Sequence, residues 1–147
     1  MFSTSLGGWW CGFLVGVARD GRDAIIAVGM NAEPLPLERG FPARLVVAGV
    51  YGYVSATKWL RKIELTTWDA ADGFWVPRGW ARDAPVKTHS CIDAPREGEH
   101  AAAGPTKIAG IVWAQHRGVE RVEVRVDNGP WQSARLGTEV TDDAWRQ

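Results

Sequence analysis

The sequence predicts a mostly β protein of the α+β class, and three features favour this prediction. Apolar runs of strand length, such as residues 24–30 and 45–47, are bounded by glycine, proline or aspartate. Residues 119–126 alternate between valine and charged side chains, which is typical of a strand with one buried face. Nine tryptophans in 147 residues indicate an unusually aromatic packing surface. We therefore expect a packed, mostly β chain with an aromatic-rich interface or pocket.

The first part of the chain contains one predicted strand between irregular segments. Residues 1–16 are apolar and glycine-rich without a clear period, which favours a surface loop. The Asp-Gly content of residues 19–23 predicts a turn. Residues 24–30 form a continuous apolar run, which is typical of a strand buried on both faces. Residues 31–36 contain two prolines and are expected to be extended, because a residue before proline avoids the helical region.

The centre of the chain, residues 40–59, combines a proline-containing turn, a strand at 45–47 and a glycine-punctuated loop at 48–53. Cations and hydroxyls flank these elements: Arg39, Arg44, Ser55, Thr57 and Lys58. Fixed cations, hydroxyl donors and exposed backbone N–H groups suit an anionic, phosphate-bearing ligand. The competing interpretation is that the cations are solvated at strand ends and paired with a carboxylate such as Glu38 or Glu64.

The rest of the chain is predicted as short antiparallel strands and loops. The predicted elements are a strand at 59–67, a loop at 69–79, and strands at 86–90, 107–114, 119–126 and 131–136, with a polar loop at 95–105. In the strand at 119–126, Val122, Val124 and Val126 are expected to point inward. Asp127-Asn128-Gly129 is a hairpin signal. Strands at this spacing indicate an antiparallel β-sandwich, but too few are present to close two sheets.

Composition excludes several classes of function. A formal net charge of zero gives no indication of nucleic-acid or membrane-surface binding. Cys11 and Cys91 are the only cysteines, too few for a disulfide framework, and no protein-built zinc site is indicated. The longest apolar run, residues 9–18, is too short and glycine-rich for a transmembrane helix and lacks the features of a signal peptide.

Histidines and tryptophans give weaker functional indications. His89, His100 and His116 lie on separate segments without metal-ligand spacing, and a general-base role has little support. The tryptophans at positions 75, 80 and 113 either wall a pocket or pack in a core or interface, and packing is favoured. No nucleophile elbow, phosphate-binding Walker loop or dinucleotide fingerprint is present.

Residues 30–59, MNAEPLPLERGFPARLVVAGVYGYVSATKW, closely resemble the sulfite oxidase superfamily of molybdopterin-dependent oxidoreductases, and most of all its bacterial, YedY-like branch. That family carries Met-Asn-Gly-x-Pro-Leu-Pro, then His-Gly-Phe-Pro-Val-Arg, a strand, Pro-Gly and a loop ending in Lys-Trp. Residues 75–95 and 110–136 resemble the family's domain junction and its immunoglobulin-like dimerisation domain. The resemblance implies a partial molybdopterin domain over residues 1–82, followed by an incomplete immunoglobulin-like β-sandwich over residues 83–147.

The resemblance also implies a site for the phosphate-bearing tail of molybdopterin, the molybdenum cofactor. The histidine of the family's motif falls on Arg39, and its arginine falls on Arg44. The residues that close the loop are Ser55, Ala56, Thr57 and Lys58, in a loop one residue longer than in animal sulfite oxidases. In the family, this cofactor supports two-electron oxo transfer on a small oxyanion or S-oxide.

Departures from the family pattern concern the metal and the catalytic tyrosine. The family's molybdenum ligand is a cysteine in the first half of the cofactor domain, upstream of this segment, and Cys11 lies in a different stretch. The counterpart of the catalytic tyrosine stretch is residues 76–80, which contain no tyrosine. The chain is therefore expected to be an internal part of an oxidoreductase, inactive alone, with the missing N-terminal half of the cofactor domain as its partner.

Two alternatives stay open. The chain is either a non-catalytic interaction module whose immunoglobulin-like part forms a homodimer, or a truncated reading frame. The sequence specifies neither the substrate nor the electron-transfer partner. It also leaves the cellular location open, although intact relatives are periplasmic or membrane-attached.

Overall fold

The computed structural model describes residues 1–141 and 143–147, and within them the chain divides into two compact units, Met1–Val86 and Lys87–Gln147. Strands account for most of the regular structure, and the helices are single turns. The fold class is therefore mostly β, as the sequence predicts. The division of the chain into family domains after residue 82 stays a prediction.

The first unit is built from short antiparallel strands. Its strands are β1 Phe2–Ser5, β2 Trp10–Gly12, β3 Ala24–Ala27, β4 Gly29–Met30, β5 Glu33–Pro34, β6 Arg44–Val47 and β7 Leu60–Glu64. Short 3-10 helices cover Val15–Ala18, Leu37–Arg39 and Val76–Arg78, and one helical turn, α1, covers Gly52–Ser55. Pairing gives a three-stranded sheet in the order β2-β1-β7 and the two-stranded sheets β3-β6 and β4-β5.

The core of the first unit is small and lies against β6. Phe13, Leu45 and Val47 form its fully buried cluster, and partly buried side chains such as Leu60 pack against it. Leu45 and Val47 are on the same face of β6 because strand residues two apart share a face. Burial of that face holds β6 in place, and with it Arg44 at the first position of the strand.

Residues 1–16 are not the surface loop that their composition predicts, and that prediction is wrong. β1 and β2 form an antiparallel hairpin whose turn contains Gly8 at φ +83°. Ser5 donates its backbone N–H to the carbonyl of Trp9 at 2.8 Å. The strand period is hidden because Ser3 and Ser5 are buried polar residues. A serine is found inside a protein when hydrogen bonds satisfy it, and hydropathy alone does not register those bonds.

The apolar run at residues 24–30 is a strand interrupted at Val28, and its predicted burial on both faces is wrong. β3 pairs with β6 over four residue pairs, but Ile25 and Ile26 are each 53% exposed. These neighbours point to opposite faces of the strand, so both faces of β3 are open. An apolar run predicts a strand well, but its burial depends on what packs over it.

The other predictions for the first unit hold with adjusted boundaries. The predicted strand at 45–47 is β6, and the one at 59–67 is the shorter β7. The loop at 48–53 runs into α1. Residues 84–86 hold this loop, because Tyr51 donates its N–H to Ala84 at 2.8 Å and Val86 donates its N–H to Gly49 at 2.9 Å.

The second unit contains two separate two-stranded sheets. Its strands are β8 His89–Ala94, β9 Ala109–Trp113, β10 Glu123–Val124 and β11 Gln132–Ser133, paired as β8-β9 and β10-β11. The predicted hairpin at Asp127-Asn128-Gly129 is confirmed by the bond from Gly129 N–H to Val126 C=O at 2.9 Å. The inward placement of Val126 is wrong, because it is 64% exposed. The strand predicted at 86–90 begins at His89 instead.

Candidate anion-binding site

The short 3-10 helix Leu37–Arg39 supplies the first part of the candidate site. It ends at Gly40, whose φ of +113° lies in the left-handed region. Gly40 donates its backbone N–H to the carbonyl of Leu37 at 3.1 Å. A side chain is strained in this conformation, which explains the glycine. The Arg39 side chain is exposed on this turn, and its guanidinium is open to a ligand.

Arg44 returns from the start of β6 to the same turn. Its Nη1 donates to the carbonyl of Arg39 at 3.3 Å, which is long for a hydrogen bond. Its Nε is buried and has no hydrogen-bond partner among the described residues. Buried donors in folded proteins are nearly always paired. The Arg44 guanidinium therefore has an N–H without an acceptor, as expected for a group whose acceptor is an atom of a ligand.

Lys58 and Trp59 approach the turn from the other side. Lys58 Nζ donates to the carbonyl of Glu38 at 3.0 Å, and Trp59 Nε1 donates to the carbonyl of Leu37 at 3.0 Å. The Lys58 ammonium also lies 5.7 Å from the centroid of the Trp59 ring, within the range of a cation–π contact. The amine is thus held at the turn by two weak interactions.

Gly40 brings the two cations together. A Cβ added at Gly40 would lie 3.1 Å from Cβ of Lys58 and 3.2 Å from Cβ of Arg44. Both side chains therefore leave the backbone on either side of this glycine and reach carbonyls of the same turn. The competing interpretation requires carboxylate partners, but within the described residues neither cation forms an ion pair, and Glu64 pairs with Lys62 at 2.5 Å.

The remaining predicted residues, Ser55, Ala56 and Thr57, contribute backbone rather than side chains. Ser55 Oγ donates to the carbonyls of Val50 and Tyr51 at 3.2 and 3.1 Å. The Thr57 side chain is 0% exposed. Among the described residues, no backbone carbonyl accepts the N–H of Thr57 or of Lys58. Because Ser55 and Thr57 are buried as whole residues, the loop at 55–58 can meet an anion through the N–H of half-buried Lys58, but not through the two hydroxyls.

Cys11 is a buried thiol and not an exposed ligand. It is 1% exposed, and its Sγ lies 3.1 Å from Thr57 Oγ1. Burial raises the pKa of the Cys11 thiol above its ordinary value of 9.0, although hydrogen bonds with Ser3, Thr57 and the Ala56 backbone partly offset this. Its contacts with Ser3 and Thr57 hold this thiol inside the first unit.

Substituting Cys11→Ser should change how stability depends on alkaline pH. The folded chain holds the thiol proton more tightly than the unfolded chain. The stabilisation is therefore complete below pH 9 and is lost as the pH rises toward the folded-state pKa. The loss is at most about 1.4 kcal/mol per pH unit. Urea unfolding between pH 7 and 10 should give a steeper decline for the unsubstituted chain than for Cys11→Ser, and parallel curves would contradict this.

The three tryptophans at positions 75, 80 and 113 pack in aromatic clusters. Trp75 and Trp80 pack at 5.3 Å between ring centroids, and Trp80 also packs on Tyr53 at 4.8 Å. Trp113 stacks on Trp145 in the second unit at 4.7 Å. These contacts are those of packed aromatic clusters. In the described part of the chain, no group of three His, Cys, Asp or Glu side chains could hold a metal ion.

The arrangement has the chemistry of an anion receptor. It gathers Arg39, Arg44 and Lys58 around one turn, beside the Lys58 N–H, which no backbone carbonyl accepts among the described residues. Sequence reasoning missed Gly40 and Trp59. The proline-bounded turn before Gly40 could have identified that glycine from the sequence. The indole contact of Trp59 could not have been identified, because it depends on tertiary structure.

Comparison with known proteins places this turn and loop within a matched domain. Residues 12–75 match the family model described as the oxidoreductase molybdopterin binding domain. The chain is 34% identical over 137 residues to mitochondrial sulfite oxidase from Homo sapiens, a match that covers 80% of this chain and 25% of that protein. It is 33% identical to sulfite oxidase from Gallus gallus, with 78% and 28% covered. Nitrate reductase [NADPH] from Fusarium oxysporum is 28% identical, with 78% and 16% covered.

These matches support the sulfite oxidase superfamily of molybdopterin oxidoreductases for this chain, and molybdopterin is the cofactor of that family. The chain spans about a quarter of the length of the sulfite oxidases that it matches. None of its described helices is long and apolar enough to cross a membrane.

Proposed function

We propose that the turn at 37–40 and the loop at 55–59 bind the phosphate-bearing tail of molybdopterin in an oxidoreductase of the sulfite oxidase superfamily. The observation that carries this proposal is the buried, unpaired Nε of Arg44 beside the Lys58 amine. Both residues lie within the stretch that matches the molybdopterin binding domain. The residues present therefore fit a phosphate-bearing group.

Each cation has a distinct part in this proposal. Arg44 presents a planar guanidinium that can donate two parallel hydrogen bonds to a phosphate, whereas Lys58 acts as a point charge. Both now donate to peptide carbonyls of the turn, and a phosphate oxygen would replace these acceptors with a charged one. Arg39 is exposed and adds charge at the rim of the site. The backbone N–H of Lys58 completes the donor set.

When bound, the cofactor supplies two-electron chemistry at its metal. This chain's own residues bind and orient the cofactor's anionic end. Because Cys11 is buried as a neutral thiol, we propose that the metal's thiolate ligand comes from another part of the cofactor domain. The chain alone is then inactive. The open faces of Ile25 and Ile26 on β3 give that other part an apolar surface to cover.

We extend the proposal to the substrate class of the complete enzyme and to its branch of the family. The matched relatives are named sulfite oxidases and a nitrate reductase, which supports a small oxyanion or S-oxide as the substrate of the complete enzyme. The sequence motifs favour the bacterial, YedY-like branch. The immunoglobulin-like dimerisation module is the alternative function, for which Val126 and Trp131, 64% and 58% exposed, offer an apolar surface.

Substituting Arg44→Ala should abolish most of the anion affinity. Charge-assisted hydrogen bonds contribute about 1.5–3 kcal/mol, so the dissociation constant for inorganic phosphate should rise roughly 10-fold or more. Titration with phosphate, followed by ¹H–¹⁵N NMR, measures this constant. Pterin fluorescence of protein purified from cofactor-synthesising cells gives a second readout, which should fall in the same variant.

Two further variants make this test specific. Arg44→Lys keeps the charge but loses the paired donors, and it should recover only part of the affinity. Arg121→Ala removes one positive charge from the second unit and should leave phosphate binding unchanged. Equal phosphate affinity for Arg44→Ala and the unsubstituted chain would overturn the proposed function.

A further inference from the structure

Three buried polar side chains meet beneath the loop at 55–59. Thr57 Oγ1 lies 2.7 Å from Ser3 Oγ and 3.1 Å from Cys11 Sγ, and Ser3 Oγ lies 3.5 Å from Cys11 Sγ. All three residues are at most 1% exposed. Each group has one hydrogen to donate and can accept another. The three can therefore satisfy one another in a closed ring, without water.

This ring joins the loop to the three-stranded sheet. Ser3 is on β1 and Cys11 is on β2, whereas Thr57 lies between α1 and β7. The backbone of Thr57 has a second attachment, because its carbonyl accepts the N–H of Leu45 in β6 at 2.9 Å. Thr57 is thus fixed by its side chain on one side and by its backbone on the other.

Lys58 and Trp59 follow Thr57 directly, and the backbone at Trp59 is strained. Trp59 has a φ of +50°, an unfavourable region for a bulky side chain that persists only where surrounding contacts enforce it. Its carbonyl accepts the N–H of Leu6 at 2.9 Å, while its indole and the Lys58 amine reach the turn at 37–40. A loop released at Thr57 could relax this strain by rotating Lys58 and Trp59 away from the turn.

We infer that the Thr57 hydroxyl is a positioning group for the anion site, which it serves by aiming Lys58 and its backbone N–H toward the bound phosphate. Thr57 does not touch the ligand, because its side chain is fully buried and shared between Ser3 and Cys11. The inference rests on the proposed function, since it assigns the way in which that same site is preorganised. Preorganised donors bind more tightly because less freedom is lost on binding.

Thr57→Val tests this inference, because valine keeps the shape and removes the hydroxyl. The dissociation constant for inorganic phosphate should rise roughly 10-fold, as for a lost charged donor. Without any ligand, the ¹H–¹⁵N signals of the Lys58 amide and the Trp59 indole should shift. Thr57→Ser restores the hydroxyl and should restore both readouts. Ser3→Ala removes one ring member and should have a smaller effect, which keeps the test valid if Thr57→Val folds poorly.

Val47→Ala is the matched control for lost stability. Val47 is buried in the same unit, and its substitution should weaken folding without changing phosphate affinity at a temperature where the variant is folded. Phosphate affinity and indole signal unchanged in Thr57→Val would overturn the inference. If the unsubstituted chain itself does not bind phosphate, the proposed function fails. The ligand-free indole shift, absent in Val47→Ala, then decides separately whether Thr57 orients the loop.

Discussion

Replacing Phe13 with alanine should unfold the first unit, Met1–Val86. Phe13 is 3% exposed and forms the buried core cluster of this unit with Leu45 and Val47. Truncation of a buried phenylalanine costs about 3–5 kcal/mol. The free energy of unfolding of a domain is about 5–15 kcal/mol in total. A small core cluster indicates a value near the lower end of that range for this unit. Urea unfolding followed by tryptophan fluorescence should show a transition close to zero denaturant.

The same substitution should also remove the anion site. Leu45 and Val47 hold β6, and Arg44 is the first residue of that strand. Leu65→Ala is the control, since Leu65 is 76% exposed, and its substitution should change stability by no more than about 0.5 kcal/mol. A Phe13→Ala variant with an unshifted urea midpoint would show that the stabilising core lies elsewhere.

Replacing Gly110 with alanine should destroy the main sheet of the second unit. A Cβ at this position would overlap the Cys91 carbonyl oxygen, far inside the van der Waals contact distance of the two atoms, and it would also lie 3.1 Å from Cα of Ile92. Both obstacles are close to the backbone of the paired strand β8, so no side-chain rotation relieves them. The strands must separate, and we expect a loss of more than about 4 kcal/mol, a size that is exceptional for one substitution and that overpacking can produce.

Gly16→Ala is the control for this prediction, because an added Cβ there meets no atom within 4 Å. Dispersed NMR signals from β8 and β9 should disappear in Gly110→Ala and persist in Gly16→Ala. A Gly110→Ala chain with an intact β8-β9 signal set would mean that the strands can shift enough to accept a methyl group.

Strand positions were largely readable from the sequence, but burial was not. The run at 45–47 predicted β6 because apolar β-branched residues lay between a proline turn and glycines. The similar run at 24–30 predicted a doubly buried strand, yet Ile25 and Ile26 are exposed because the described residues leave both faces of β3 uncovered. The hairpin of β1 and β2 was not predicted, since its buried positions include Ser3, whose hydroxyl partner Thr57 is 54 residues away.

The candidate site was readable to the extent that its chemistry is local. Arg39, Arg44 and Lys58 lie within twenty residues of one another, and their charge is independent of fold. That Ser55 and Thr57 turn inward could not be read from the sequence, because the hydroxyl partners of Thr57 are 46 and 54 residues away. Because both hydroxyls are engaged inside the protein, contact between this loop and an anion stays a prediction for Lys58 alone.

The amino-acid sequence by itself determined the strand content, the basic residues near the centre and the motif that resembles molybdopterin oxidoreductases. These depend on side-chain type and short spacing, which act within a few residues. Only the tertiary structure decided that Arg44 and Lys58 reach one turn, that Cys11 is buried as a thiol and that the Thr57 hydroxyl bonds inside the protein. Those outcomes depend on which distant segments are hydrogen-bonded to each other. Strand pairing between segments tens of residues apart brings them together.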